Sequence, residues 1–204
     1  MRKFLPLAVL SLAPLWAAGE LSNRRAPGFS LPDSAIKQHD LFLRIARDVH
    51  ARQPSAVFVI VGDGDRRGEL EALARRLGLE RHVRFLGWRR DLVTIYGAAD
   101  VCVLTSRNEG TPVAVIEALA AGVPVVSTDV GGVRDVIDDP TLGAIAPDNA
   151  VDALAGHVID ALSPATRTPD RVAARRASVT RRYGFDRLVS DLAALYHSLL
   201  APSG

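Results

Sequence analysis

The chain has 204 residues, 48% of them hydrophobic and 24% charged, which suits one globular domain with a substantial core. Its formal net charge is only +2, and acids and bases interleave without a long basic run or interspersed aromatics, so a nucleic-acid partner is not expected. The lone cysteine, Cys102, excludes an intramolecular disulfide and reads as a packing residue in an apolar run; no His/Cys cluster has metal-ligand spacing.

In chain order, Arg2 and Lys3 precede an apolar run from Phe4 to Ala18, and Ala17-Ala18-Gly19 follows with small residues at signal-cleavage spacing. The run is short and interrupted by Pro6 and Pro14, which argues against a membrane span. Residues 1–32 are therefore expected to be an atypical leader or a misassigned start, and residues 33–204 the folded domain. From Asp40 to Gln53, Leu41, Ile45, Ala46 and Val49 share one helical face. Val57–Val61 is a short β-branched apolar run and reads as a buried strand, turned by Gly62-Asp63-Gly64. Glu69–Leu77 reads as a helix ended by Gly78, Val83–Leu86 as a strand ended by Gly87, and Asp91–Ala98 as a short helix. Val101–Leu104 is a third strand, Pro112–Ala121 a helix, and Val123–Ser127 a fourth strand. A short helix near Arg134–Ile137 and an edge strand at Ala144–Ala146 follow. Helices over Ala150–Leu162, Arg171–Arg182 and Phe185–Leu200 close the chain, with the doublets Arg175-Arg176 and Arg181-Arg182 on solvated faces.

Strands alternate with helices, and no hairpin turn joins any strand pair. That pattern predicts a doubly wound parallel α/β sheet, Rossmann-like, because parallel strands need crossover connections. Ligands of such sheets sit beyond the carboxyl ends of the strands, which directs attention to the loops after Val61, Leu86, Leu104 and Ser127.

The loop after the third strand reads Thr105-Ser106-Arg107-Asn108-Glu109-Gly110-Thr111-Pro112. Thr111 suits an N-cap and Pro112 the first helical position, so a helix N-terminus is expected where it would attract a phosphate. Gly110 lets a backbone approach closely. Glu109 and Glu117 flank this point; carboxylates repel phosphate but accept hydrogen bonds from sugar hydroxyls. Spacing alone is equally met by a capped helix with surface acids.

Glu109-Gly110-Thr111-Pro112, then Glu117-Ala118-Leu119 and Gly122-Val123-Pro124-Val125-Val126, resemble the donor-site signature of retaining GT-B glycosyltransferases, the group 1 or family 4 class. Phe58–Gly64, Val83–Gly87, Ala99-Asp100-Val101 and Gly131-Gly132-Val133 follow in the family's order, and Tyr183, Phe185 and Leu195-Tyr196 resemble its closing helices. The likeness runs from Lys37 to about Leu200 and implies one half of a GT-B fold with C-terminal helices. It implies that Glu109 contacts the donor hexose, Glu117 the ribose hydroxyls, and the backbone of Gly110, Thr111 and Pro112 the sugar and diphosphate. Lys37 would neutralise the diphosphate and stabilise the leaving group. Gly62, Trp88 and Arg89 would line the donor site, the last two at the nucleobase edge.

The expected reaction is transfer of a hexosyl group from a UDP- or GDP-sugar, with retention, to an unknown acceptor. No metal and no cofactor are implied, since Lys37 and the helix end supply positive charge. The sequence departs from the family ahead of Lys37: Gly28–Ser34 has no arginine at the matching place and no clear strand. An N-terminal acceptor domain is expected to be separate or missing. The alternatives are a non-catalytic nucleotide-sugar-binding module and a GT-B-type epimerase. Without a first strand, Val57–Val61 would have an open edge, to be met by part of Ala26–Leu31 or covered by Phe4–Leu15. Gly62-Asp63-Gly64 fails the dinucleotide fingerprint, because Arg67 stands at the third glycine. The five histidines, His39, His50, His82, His157 and His197, are scattered, with only His39 near the expected cleft. The location is expected to be cytoplasmic or membrane-peripheral, despite the signal-like start.

Overall fold

The computed structural model describes residues 7–12 and 36–200. Six strands form one sheet: β1 (Leu7–Leu12), β2 (Val57–Val61), β3 (Val83–Gly87), β4 (Val101–Leu104), β5 (Val125–Thr128) and β6 (Gly143–Ala146). Their order is β3-β2-β1-β4-β5-β6, with every neighbouring pair parallel. This is the doubly wound arrangement expected, with the first strand at the centre and the order reversing beside it.

The central strand comes from an unexpected place. Leu10 pairs with Val59 of β2 on one side and Cys102 of β4 on the other. Leu7–Leu12 of the leader-like apolar run therefore lie in the sheet rather than over its edge, and the sheet draws on residues that a boundary at 32/33 sets aside. A fully buried strand and a leader's apolar core have the same composition, and periodicity does not separate them. The other candidate for this gap, Ala26–Leu31, lies outside the described residues.

Helices α1 (His39–Arg52), α2 (Arg67–Arg76), α3 (Leu92–Ala98), α4 (Val113–Ala120), α5 (Val133–Val136), α6 (Val151–Ala161), α7 (Pro169–Tyr183) and α8 (Phe185–Leu200) complete the domain. Alternation along β4 splits the core in two. Val101 and Val103 face α1 and α6, packing with Phe42, Ile45, Val49, Leu154 and Val158. Cys102 and Leu104 face the opposite layer, with Tyr96, Val115, Leu119, Val133 and Val179. Both faces are thus covered, as a parallel sheet requires. The apolar stripe expected on α1 is buried in full.

Two local expectations are corrected. Helix α4 begins one residue later than predicted: Pro112 is its N-cap at φ −78°, ψ 79°, and no side chain caps the end. Thr111 instead gives its carbonyl to the Val113 N–H at 2.9 Å, so the non-helical ψ of Pro112 displaces the threonine from the capping position. Arg175 does not lie on a solvated face but is only 1% exposed. Its guanidinium donates to the carbonyls of Thr141 (2.9 Å), Gly122 (3.3 Å) and Thr166 (2.7 Å), fastening α7 to three loops. Burial holds this arginine below its ordinary pKa, with Arg171 adding to the shift. Against this buried docking, α8 contributes no buried residue and leaves Phe185, Leu188, Leu192, Leu195 and Tyr196 exposed. Among the described residues no helix is long and apolar enough to cross a membrane.

Candidate functional site

The carboxyl ends of β1 and β4 lie side by side, and the segments around them converge. The turn that leads into α1 carries Lys37, whose ammonium lies 2.6 Å from Glu109 Oε1 in the loop after β4. Ser106 Oγ donates to the same oxygen at 2.6 Å. The two ionic side chains are only 13% and 11% exposed. Seventy-two positions separate the partners, so only the fold brings them together.

The turn itself is tied to the loop by backbone and side-chain bonds. Arg107 donates its N–H to the Ile36 carbonyl (2.8 Å), and Thr105 Oγ1 donates to the Lys37 carbonyl (2.8 Å). Gln38 is buried and stands at φ 45°, ψ 48°, the one non-glycine with positive φ among the described residues. That backbone costs an L-residue about 1–2 kcal/mol. Its amide donates to the Thr105 carbonyl at 2.8 Å and accepts from Arg107 Nε at 2.6 Å.

On the far side, the loop after β5 supports Glu109. Gly132 donates its N–H to the Glu109 carbonyl at 3.2 Å, and Thr128 Oγ1 donates to the Ser106 carbonyl at 2.6 Å. A Cβ built on Gly131, at φ +47°, would lie 1.7 Å from the Glu109 carbonyl oxygen. Only glycine permits this approach. Gly110 differs: among the described residues a Cβ there meets nothing within 4 Å, so none of them requires a glycine.

Glu117 lies half-buried on α4, where its Oε2 accepts from the Tyr96 hydroxyl of α3 at 3.0 Å. Burial, then the neighbouring Cys102 and Glu117, push the Tyr96 hydroxyl far above its ordinary pKa, so it remains a proton donor. Burial, with Glu117 adding, raises the Cys102 thiol to about 12. His39, buried beside Lys37, is pushed down to about 4, chiefly by burial.

Gly62 (φ 117°) and Gly87 (φ 64°) bind each other through a 2.8 Å Gly62 N–H to Gly87 carbonyl bond, which locks the loops after β2 and β3 together. Trp88 and Arg89 follow in an exposed loop, where Arg89 forms two bonds to Asp91, at 2.7 and 2.6 Å. Three strand spacings separate β3 from β4, or roughly 14 Å at about 4.8 Å per strand. The structure therefore gathers Lys37 with Glu109, places Gly110, Thr111, Pro112 and Glu117 on the next elements, and sets Gly62, Trp88 and Arg89 along the same edge at a distance. Among the described residues no three His, Cys, Asp or Glu side chains are grouped to hold a metal ion.

Sequence reasoning did not find Gln38, Ser106, Arg107 or Tyr96. Ser106 and Arg107 stand within the quoted loop, but nothing local marks their partners. Tyr96 carries no signal until the fold sets α3 beside α4.

Known proteins resemble this chain in sequence and fold. A family profile described as Glycosyl transferases group 1 matches residues 30–164. The chain is 34% identical over 156 residues to the 2-deoxystreptamine N-acetyl-D-glucosaminyltransferase of Streptomyces fradiae, covering 76% of this chain and 36% of that protein. It is 36% identical over 139 residues to a D-inositol 3-phosphate glycosyltransferase of Corynebacterium urealyticum, covering 64% of this chain and 31% of that one. The chain thus spans about a third of the length of these curated relatives. Among solved structures, the pneumococcal O-GlcNAc transferase GtfA in complex with UDP and GlcNAc superposes with a TM-score of 0.75 at 19% identity, over 97% of this chain and 37% of that one. Anabaena HepE in complex with UDP and glucose gives 0.73 at 22% identity, over 94% and 48%. These likenesses show a GT-B type of fold, and with the profile match they establish that the chain belongs to the group 1 glycosyltransferase family.

Proposed function

We propose that this chain is the donor-binding half of a retaining glycosyltransferase that moves a hexosyl group from a UDP- or GDP-sugar to an acceptor. The observation that carries the reading is the meeting of Lys37 and Glu109 at the carboxyl edge of the sheet, beside the uncapped N-terminus of α4. Glu109 accepts from hexose hydroxyls and Glu117 from the ribose. Lys37 and the α4 N–H groups neutralise the diphosphate, and that charge stabilises the leaving group as the glycosidic bond breaks. The open space at Gly110 admits the diphosphate backbone. The spread from Trp88 to Glu109 suits an extended donor with its base toward β3. The domain needs no metal for this neutralisation, and the reaction belongs in the cytoplasm, where nucleotide sugars are available.

A second reading has its own support. The chain spans about a third of its relatives, and on this reading the residues described act as a nucleotide-sugar-binding module beside an acceptor-binding partner. Calorimetric titration with UDP, GDP and their hexose conjugates tests the site common to both readings. Glu117→Ala should weaken nucleotide and nucleotide sugar alike. Glu109→Ala should weaken only the sugar-bearing ligand. Each lost charge-assisted bond is expected to cost about 1.5–3 kcal/mol. Equal effects of both substitutions on free nucleotide would overturn the assignment.

A further inference from the structure

We propose that Arg107 is a second cation of the diphosphate site and that Gln38 is the residue that positions it; this rests on the donor-site reading above. Lys37 is already in contact with Glu109, and the pair together carries no net charge. A dianionic diphosphate arriving there meets, besides this neutral pair, only the partial charge of the α4 N-terminus, so a further full positive charge would strengthen its hold. Arg107 stands at the same turn, anchored twice: its N–H to the Ile36 carbonyl at 2.8 Å and its Nε to the Gln38 amide at 2.6 Å. The side-chain bond uses Nε alone, and among the described residues neither Nη group of this exposed arginine has a hydrogen-bond partner, so both can donate as a planar fork. That geometry matches paired phosphate oxygens.

Gln38 explains why the guanidinium points this way. A glycine would adopt φ 45° without steric cost, yet the chain places a glutamine there and uses both ends of its amide. One end grips the Thr105 carbonyl and the other holds Arg107. The side chain therefore sets the distance between the Lys37 turn and the loop that carries Arg107 and Glu109.

The test titrates the full chain with UDP and GDP, and with uridine and guanosine in competition, at two salt concentrations. Arg107→Gln should weaken nucleoside diphosphate binding about tenfold or more, leave the nucleoside unchanged, and flatten the salt dependence. Gln38→Gly, which keeps the turn, should retain the parental melting temperature yet weaken the diphosphate to a similar degree. Combined with Arg107→Gln it should add little. If the parent binds neither diphosphate, the donor-site reading falls and this one with it. If the parent binds and Arg107→Gln binds equally well, only the Arg107 assignment is overturned. If Arg107→Gln weakens binding while Gln38→Gly does not, the positioning role of Gln38 is overturned.

Discussion

Proline at Leu10 is the sharpest probe of the fold. Leu10 is paired on both sides, with Val59 and with Cys102, so its peptide groups lie inside the sheet rather than at an edge. Proline there deletes one ladder N–H, worth about 0.5–1.5 kcal/mol net, and leaves a facing carbonyl buried without a donor at about 1–3 kcal/mol. Together with the clash of its ring against a flanking strand, the expected loss is about 3–4 kcal/mol. A domain of this size holds roughly 5–15 kcal/mol in all, and each kcal/mol shifts Tm by roughly 2–4 °C. Leu10→Pro should therefore lower the melting temperature by roughly 10 °C, measured by circular dichroism on the full chain. Removing residues 1–19, as cleavage at the leader-like site would, should abolish cooperative unfolding. A Leu10→Pro protein that melts within 2 °C of the parent would show that the run is no sheet strand.

Two further outcomes follow from the site. Gly131→Ala forces a Cβ to within 1.7 Å of the Glu109 carbonyl oxygen at φ +47°, so the two loops must separate. The expected loss is about 2–4 kcal/mol in urea unfolding, from left-handed strain and the Gly132 to Glu109 bond, with nucleotide-sugar binding weakened as well. His39 gives a pH signature. Its folded pKa of about 4 lies below the unfolded value of 6.5, so the unfolded chain binds more protons between these values. The stabilisation is complete above pH 6.5 and is lost as pH falls toward 4; at pH 5 the deficit is about 2 kcal/mol. Urea midpoints compared at pH 7.5 and 5 check this, and His39→Leu should flatten the difference; an equally steep dependence in that variant would place the cause elsewhere.

Much of the architecture was legible because local pattern and fold agree. The β-branched run Val57–Val61 and the strict two-face division of Val101–Leu104 are what a sheet covered on both sides demands. Val49 and Ile45 likewise announced the buried face of α1. The central strand was not legible, because Arg2, Lys3, Pro6 and Pro14 around an apolar run fit a leader equally well. Arg175 misled for a related reason: a helical Arg doublet reads as solvated unless one knows that three loop carbonyls surround it. In the site, Lys37 and Glu109 were named from motif resemblance, and the fold brings them to 2.6 Å of each other. Gln38 and Tyr96 stayed hidden because pairings across tens of residues leave no periodicity behind.

On the proposed donor-site reading, the support around Glu109 bears on how the site would meet its ligand. The loop from Thr105 to Gly110 is clamped from one side by the Ile36–Gln38 turn and from the other by Thr128, Gly131 and Gly132. Glu109 therefore has little conformational freedom left to surrender on binding, and the entropic penalty of association falls mainly on the ligand's own rotors. If Glu109 holds donor hydroxyls as proposed, a site held in this way would discriminate by fit: an analogue that misplaces one hydroxyl would find a carboxylate that does not follow it, and would lose the bond outright rather than gain a poorer one.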